Sequence, residues 1–256
     1  MSTQHKEPIE YSLKLGDDLV EMNPLIGREI SLRYTGVIHC VSCGNVTKKS
    51  FGQGFCYSCF MKSPMNSECI IRPELCEAHV GKGRDPKWEE EHHNQAHVVY
   101  IAFTDVAKVG VTRVDQIPTR WIDQGANQAI LLAETPYRQL AGIIEVAMKE
   151  IMVDKTNWRK MLKNELNPDL DPFEAKEDAY ENFPEELEEF YSDDDTLYDL
   201  KYPVLQYPEK VKSLNLEKVP QVTGKLLGIR GQYLLLDGDR VFNVRNHSGY
   251  QIALEA

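Results

Sequence analysis

Two C-x-x-C pairs constrain this chain more than any other feature of its sequence. They are Cys40-Val41-Ser42-Cys43 and Cys56-Tyr57-Ser58-Cys59, and twelve residues separate them. Each pair closes a tight knuckle that directs two thiolates to one point, and two knuckles across a short hairpin supply a tetrahedral ligand set. The spacing therefore predicts a zinc-ribbon-like module in which a structural zinc ion is bound by Cys40, Cys43, Cys56 and Cys59.

Disulfides and redox chemistry are the alternative uses of these cysteines. Disulfides need an oxidising compartment, and residues 1–8 contain no apolar segment typical of a signal peptide. A redox motif needs only one pair, set near a β-α-β pattern. The apolar runs of the sequence are also shorter than the roughly twenty residues of a membrane span. We therefore expect a cytoplasmic protein without a membrane partner.

More metal-binding side chains follow the two pairs. Cys69 and Cys76 come next, His79 lies three residues after Cys76, and His92 and His93 lie further along. Two thiols and two imidazoles make a Cys2His2 zinc shell. One hypothesis is thus a second zinc ion bound by Cys69, Cys76, His79 and either His92 or His93. The alternative is a pair of buried free cysteines, which behave as small hydrophobic side chains, with surface histidines.

The net charge of −11 is distributed unevenly along the chain. Residues 164–210 hold 3 Lys/Arg and 16 Asp/Glu, whereas residues 1–163 hold 20 of each kind and residues 211–256 hold 6 and 4. An acidic run of this kind is most often a solvated linker or an exposed helix. A mimic of nucleic acid in a basic groove is the other interpretation. Because the rest of the chain is neutral to slightly basic, its charge does not exclude a nucleic-acid partner.

Composition and periodicity predict an α+β protein with five segments. These are an N-terminal β segment (1–36), the zinc-binding module (37–96), an α+β core (97–163), an acidic linker (164–210) and a small C-terminal β-meander (211–256). The predicted core elements are strands at 97–103, 108–112 and 128–133, and helices at 115–124, from Thr135-Pro136 onward, and at 154–163. In the second helix, Thr135 is the expected cap and Pro136 the first helical residue.

The core carries a family resemblance. The run His97-Val98-Val99-Tyr100-Ile101-Ala102-Phe103, followed by Lys108-Val109-Gly110-Val111-Thr112-Arg113, resembles the opening hairpin of GIY-YIG-type nuclease domains. It is most similar to the branch whose second motif begins with Lys rather than Tyr. The resemblance covers about residues 97–163 and implies a β-β-α-β-α core.

The same resemblance implies a catalytic site. Tyr100 would lie near the attacking water, Arg120 on the phosphate, Glu145 on a Mg²⁺ or Mn²⁺ ion, and Asn157 would support them. A bound cation and an arginine are sensible for phosphodiester hydrolysis, which develops negative charge. The chain departs from the family pattern at three positions, where it has Val98, Lys108 and Gln124.

The whole chain also resembles a bacterial family of unknown function with this layout. The matching stretches are residues 40–60, 71–76, 108–113, 116–126, 154–159 and 228–233. These motifs are specific and span nearly the full length. They imply membership of a family but no activity.

The C-terminal meander offers two interpretations. One is a basic and aromatic surface for nucleic acid, formed by Arg230, Arg240 and Arg245 with Tyr233, Phe242 and Tyr250. Alternatively, the meander is a β-cap packed on the N-terminal strands.

We therefore expect a zinc-containing protein that acts on DNA or RNA, as a metal-dependent endonuclease. Phosphate contacts are expected from Lys108, Arg113, Arg159 and Lys160. A non-catalytic nucleic-acid-binding protein is one alternative. A protein-interaction scaffold whose zinc is purely structural is the other.

Overall fold

The computed structural model describes residues 1–153 and 157–256. These residues have a mixed α+β architecture, which confirms the predicted class. The strands are β1 (Ser2–Gln4), β2 (Glu10–Leu15), β3 (Asp18–Glu21), β4 (Glu29–His39), β5 (Val46–Thr47), β6 (His97–Phe103), β7 (Ala107–Arg113), β8 (Gln128–Thr135), β9 (Tyr198–Asp199), β10 (Lys212–Leu214), β11 (Gln221–Arg230), β12 (Tyr233–Leu236), β13 (Arg240–Asn243) and β14 (Tyr250–Glu255). The helices are α1 (Tyr57–Lys62), α2 (Pro86–His93), α3 (Thr119–Gln124), α4 (Arg138–Met148), α5 (Trp158–Lys163) and α6 (Pro172–Glu181).

The largest sheet joins early and late parts of the chain. Its strand order is β10-β13-β12-β11-β4-β14, and β5 pairs with the end of β4. β4 is antiparallel to both long neighbours, so that Leu32 lies opposite Val222 on β11 and Leu254 on β14. β4 from the N-terminal segment and the strands of the C-terminal meander are therefore hydrogen-bonded parts of one sheet, while β1, β2 and β3 form a separate three-stranded sheet.

A four-stranded antiparallel sheet forms the centre of the core segment. Its order is β7-β6-β8-β9, and all seven residues of β6 are buried. The odd-numbered side chains from Val99 to Phe103 pack in one apolar core with α4 and α6. The even-numbered side chains from Val98 to Ala102 pack in a second core with α3 and the strands of the other two sheets. Because neighbouring side chains of a strand point to opposite faces, β6 separates the two cores.

The acidic segment folds onto the core. It contains α6, a 3-10 helix over Glu185–Phe190 and the short strand β9. Ala175, Ala179, Phe183 and Leu187 of this segment are buried against the same core as α4. The acidic side chains of α6 remain exposed. The segment therefore agrees with the expectation of an exposed acidic helix rather than that of a solvated linker.

The buried side chain of Arg230 connects the large sheet to the core. Its Nη2 atom donates to the carbonyl of Gly125 at 2.9 Å, and its guanidinium also bonds the side-chain oxygens of Asn127 and Asn164. Arg230 and Phe242 are both buried. They therefore cannot belong to the predicted basic and aromatic surface. The meander instead pairs with the N-terminal strand β4.

Three predicted helix boundaries differ from the structure. The helix predicted at 115–124 begins at Thr119, after a 3-10 turn over Val114–Gln116. Thr135 ends β8 opposite His97, and α4 begins only at Arg138, because strand pairing continues through the expected cap position. The helix predicted over 154–163 begins outside the described residues, at 154–156. Within the described residues, Asn157 caps α5, which begins at Trp158.

Among residues 1–153 and 157–256, no helix combines the length and the apolar content needed to cross a membrane.

Candidate functional site

The four cysteines of the C-x-x-C pairs converge on one point. Cys40 follows the end of β4 and Cys43 lies in the turn after it, while Cys56 precedes α1 and Cys59 lies in its first turn. Their sulfur atoms all lie within 4.8 Å of one another, and the Sγ atoms of Cys43 and Cys56 are 4.0 Å apart. Four thiols at this spacing form a closed donor set that can bind a structural zinc ion.

The backbone of the knuckles favours the thiolate form of Cys40. Burial disfavours the charge, but backbone amides, chiefly those of Cys56 and Cys43, donate to the sulfur and lower the pKa of Cys40 to about 6. Thiolates rather than thiols bind zinc. The backbone amides of the two turns therefore suit Cys40 to the ion.

A second cluster of ligand atoms follows in the chain. Cys69, Cys76, Glu89 and His93 are all buried, and one ligand atom from each lies within 4.8 Å of the others. The Nδ1 atom of His93 is 3.6 Å from Sγ of Cys76 and 3.8 Å from Sγ of Cys69. Its other contact is the carboxylate of Glu89. These four side chains meet in the interior of a stretch built from 3-10 turns and α2.

Tyr100 lies at the centre of the candidate catalytic site. Its ring crosses from β6 to β7 and covers Gly110, so that a Cβ atom added at Gly110 would lie 2.6 Å from Oη of Tyr100. Oη lies 3.0 Å from the side-chain amide of Gln124. With that amide turned to satisfy its neighbours, its oxygen also accepts from Nε of Arg120 at 3.2 Å. Tyr100, Arg120 and Gln124 thus form one polar group at the contact of β6 and α3.

Glu145 projects from α4 into the same region. Its side chain is 12% exposed and forms an ion pair with Nζ of Lys149 at 3.3 Å. Burial raises the pKa of Glu145, and the nearby cations Lys149, Arg138 and Lys108 counteract that rise. Burial also raises the pKa of Tyr100, Arg120 lowers it, and Glu145 raises it further. The charges of Arg120 and Glu145 therefore both act on Tyr100.

Comparison with known proteins gives one family. The model of the family described as "Protein of unknown function (DUF2797)" matches residues 27–252. The chain belongs to this family. Neither the curated proteins nor the solved structures compared with it give a match. The DUF2797 region contains both cysteine clusters and the group around Tyr100, so all the candidate sites lie within the family's common sequence.

The structure distributes the remaining predicted DUF2797 site residues over several places. Asn157 caps α5, where its Oδ1 accepts from the backbone amide of Arg159 at 3.2 Å. Arg113 pairs with Asp115 and Lys160 pairs with Asp105, each at 3.1 Å. The guanidinium of Arg159 lies over the ring of Trp158. Of the predicted basic residues, Lys108 influences the pKa of Glu145.

Two predicted ligands of the second DUF2797 cluster lie elsewhere. The ring of His79 stacks on Tyr137, with ring centroids 4.5 Å apart, and Nδ1 of His92 bonds the carbonyl of Trp88 at 2.8 Å. The cluster contains Cys69, Cys76 and His93 from the predicted set, and the sequence argument missed Glu89.

A local signal could have identified Glu89. Asp85 and Pro86 form a helix start, in which Oδ1 of Asp85 accepts from the amide of Trp88 at 3.2 Å. From that start, Glu89 and His93 are four residues apart and share one face of α2.

Proposed function

We propose that this chain is a metal-dependent phosphodiesterase that cleaves nucleic acid and contains a structural zinc ion in its N-terminal module. One observation carries the proposal. Tyr100, Arg120 and Glu145 come from β6, α3 and α4, yet Gln124 joins Tyr100 to Arg120 by hydrogen bonds and the charge of Glu145 acts on the same hydroxyl. The same residue types serve phosphodiester hydrolysis in GIY-YIG-type nucleases, which the β6–β7 hairpin resembles.

Arg120 binds the phosphate in this proposal. Hydrolysis develops negative charge on the phosphate oxygens, and a positioned guanidinium offsets it. Gln124 holds Arg120 by accepting from its Nε atom. Lys108 and Arg138 add positive charge near Glu145, since both lower its pKa.

Glu145 binds the divalent cation. Mg²⁺ keeps several waters and needs only one or two protein carboxylates, so the single carboxylate of Glu145 suits it. When bound, the ion lowers the pKa of a coordinated water and offsets charge on the phosphate. Lys149 is the present partner of Glu145 and gives up that pair when the carboxylate binds the ion.

Tyr100 orients the attacking water. Burial raises the pKa of its hydroxyl, while Arg120 and Gln124 lower it through charge and hydrogen bonds. These two partners also fix the direction of the Oη atom. Gly110 contributes by leaving space for the ring, because any Cβ atom there would overlap it.

A non-catalytic nucleic-acid-binding protein is the second candidate. Tyr100 is completely buried and Glu145 is already paired with Lys149. Both facts also suit a groove that binds phosphate without cleaving it. Such a protein would bind nucleic acid with an affinity that falls as salt rises, because bound phosphates release counterions. It would show no metal-dependent turnover.

A cleavage panel tests the proposal. Single-stranded, duplex and branched DNA and RNA are incubated with zinc-loaded wild type in Mg²⁺ or Mn²⁺. We expect cleavage of at least one substrate and a loss of about 100-fold or more in Glu145→Ala. Glu150→Ala, an exposed position just after α4, is the matched control and keeps wild-type activity. Equal rates for wild type and Glu145→Ala, or no cleavage at all by wild type, contradict the proposal.

A further inference from the structure

The stretch between α1 and α2 has too few apolar contacts to stabilise itself. It contains 3-10 turns over Pro64–Asn66, Glu68–Ile70, Pro73–Leu75 and Ala78–Val80. Its own apolar cluster consists of Cys69, Cys76 and Ala78. Larger apolar side chains point outward, and Ile71 is 83% exposed. Small units of this kind usually depend on disulfides or a metal ion, because the buried apolar area does not offset the loss of chain entropy.

The interior of this stretch is instead occupied by metal-binding groups. Cys69, Cys76, Glu89 and His93 are exposed by 8%, 2%, 1% and 3%. Burying two thiols, a carboxylate and an imidazole together is unfavourable unless they are paired or coordinate an ion. The two cysteines come from the turns and the other two residues from α2, so one ion would join both parts.

The distances within the group fit zinc. Neighbouring ligand atoms of a tetrahedral zinc site lie roughly 3.3 to 3.8 Å apart, given the usual zinc–sulfur and zinc–nitrogen bond lengths. The Nδ1 atom of His93 is 3.6 Å from Sγ of Cys76 and 3.8 Å from Sγ of Cys69. Oε2 of Glu89 lies slightly further from Sγ of Cys69, at 4.0 Å. All four ligand atoms lie within 4.8 Å of one another, and the direct contact between Glu89 and Nδ1 of His93 would open if both groups bound one ion.

Neighbouring groups orient the ligands and offset their charge. The hydroxyl of Ser67 donates to Oε1 of Glu89 at 3.1 Å, which leaves Oε2 directed at the cluster. The guanidinium of Arg138 donates to the carbonyls of Cys69 and Ile70, each at 3.1 Å. Second contacts of this kind are typical of metal ligands. Two thiolates and a carboxylate outweigh the charge of Zn²⁺ by one, and Arg138 supplies a nearby positive charge.

We propose that Cys69, Cys76, Glu89 and His93 bind a second zinc ion in a closed structural site. Four protein ligands in a buried shell leave no position for water, which distinguishes a structural site from a catalytic one. The site also supports α4. Gly142 of α4 packs so tightly on the turn at Pro73 and Glu74 that an added Cβ would lie 2.2 Å from the Glu74 amide nitrogen. The second ion thus holds the surface on which the helix carrying Glu145 rests.

Native mass spectrometry of the full chain, purified with zinc in excess, tests the proposal without any substitution. We expect a mass that corresponds to two zinc ions per chain. A single ion per chain, or none, overturns the proposal.

Variants then assign the ions to their ligands. Cys76→Ser and His93→Gln should each bind one zinc ion, and Glu89→Gln should weaken the second ion. The matched controls His92→Gln, His79→Gln and Glu90→Gln should keep two. Substitution with Co²⁺ gives a readout besides stoichiometry, because thiolate-to-cobalt absorption should fall in Cys76→Ser while the four-thiolate site keeps its own band. Two ions in Cys76→Ser, or the loss of one in His79→Gln, overturns the ligand assignment.

Discussion

Arg230 is a buried cation whose hydrogen bonds go to amide and carbonyl oxygens. It joins the end of β11 to the residues after α3 and α5, through Gly125, Asn127 and Asn164. If the guanidinium is removed, these oxygens stay buried without a donor. We expect Arg230→Met to lower the free energy of unfolding by about 3 kcal/mol, measured by urea denaturation.

The control for this change is Arg240→Met. Arg240 lies at the start of β13 and pairs with Asp237 at the surface. Solvent-exposed pairs contribute little, so the control should lose less than about 1 kcal/mol. Equal losses of unfolding free energy in the two variants would show that the buried hydrogen bonds of Arg230 stabilise the protein no more than the surface pair of Arg240.

Gly110 and Tyr100 are coupled by direct contact. An alanine at position 110 would place its Cβ atom 2.6 Å from the Tyr100 hydroxyl oxygen. We expect Gly110→Ala to lower stability by about 1 to 3 kcal/mol, because overpacking displaces the ring. In a Tyr100→Ala background the same change should cost less than about 1 kcal/mol, which a double-mutant cycle measures. Additive effects would contradict the contact.

His97 makes stability depend on pH. Burial lowers the pKa of His97 to about 4, whereas a histidine in an unfolded chain titrates near 6.5. As the pH falls, the unfolded state binds the proton first, so stability is complete above about pH 6.5 and decreases toward pH 4. Between pH 7.5 and 5.5, wild type should lose about 1.4 kcal/mol more than His97→Gln. Identical pH profiles of the unfolding free energy would refute this role.

At the scale of elements, local patterns predicted some boundaries and tertiary contacts decided others. β6 matches its prediction because it is a continuous apolar run, and α3 ends at Gly125, whose φ of 75° suits glycine. Thr135 reads as a helix cap but lies in β8, because pairing with His97 overrides the local preference. The start of α4 therefore needed the sheet to be known.

Local sequence patterns likewise predicted one candidate site fully and the other only in part. The four-cysteine site could be predicted from the sequence because a C-x-x-C knuckle is a local structure, complete within four residues. Glu89 was not found because it opens the run Glu89-Glu90-Glu91, which looks like a solvated face. Its spacing of four residues from His93 makes it a ligand candidate, but the packing of α2 on the cysteine turns is needed to show that Glu89 is buried.

The acidic segment is an element whose attachment can be measured. Leu187 is 8% exposed in its 3-10 helix, whereas Leu166, in the same segment, is 51% exposed. We expect Leu187→Ala to lower the free energy of unfolding by about 2 to 4 kcal/mol, since it leaves a cavity in the core beside α4. Leu166→Ala, the matched control, should lose less than about 1 kcal/mol. If Leu187→Ala left the free energy of unfolding unchanged, the segment would not unfold together with the core.

At the scale of the whole molecule, the largest sheet is formed by strands that are far apart in the sequence. Arg33 of β4 lies opposite Gln221 of β11 and Ala253 of β14. A meander and an early strand can each be recognised from alternation, but their pairing cannot, because alternation says nothing about the partner. The cysteine-containing module and the central sheet lie in the sequence between β4 and β11. The pairing of these two strands therefore holds the start and the end of that whole region close together.

The position of β4 has a consequence for synthesis on the ribosome. Its end pairs with β5 nearby, but β11 begins at Gln221, so most of β4 waits for almost 190 residues before that partner strand is made. At the usual speed of translation this delay is roughly ten to forty seconds. Both cysteine clusters need only residues up to His93 and can assemble earlier. On the proposal that they bind zinc, zinc supply during translation sets how much of the nascent chain is ordered while most of β4 is unpaired and open to aggregation.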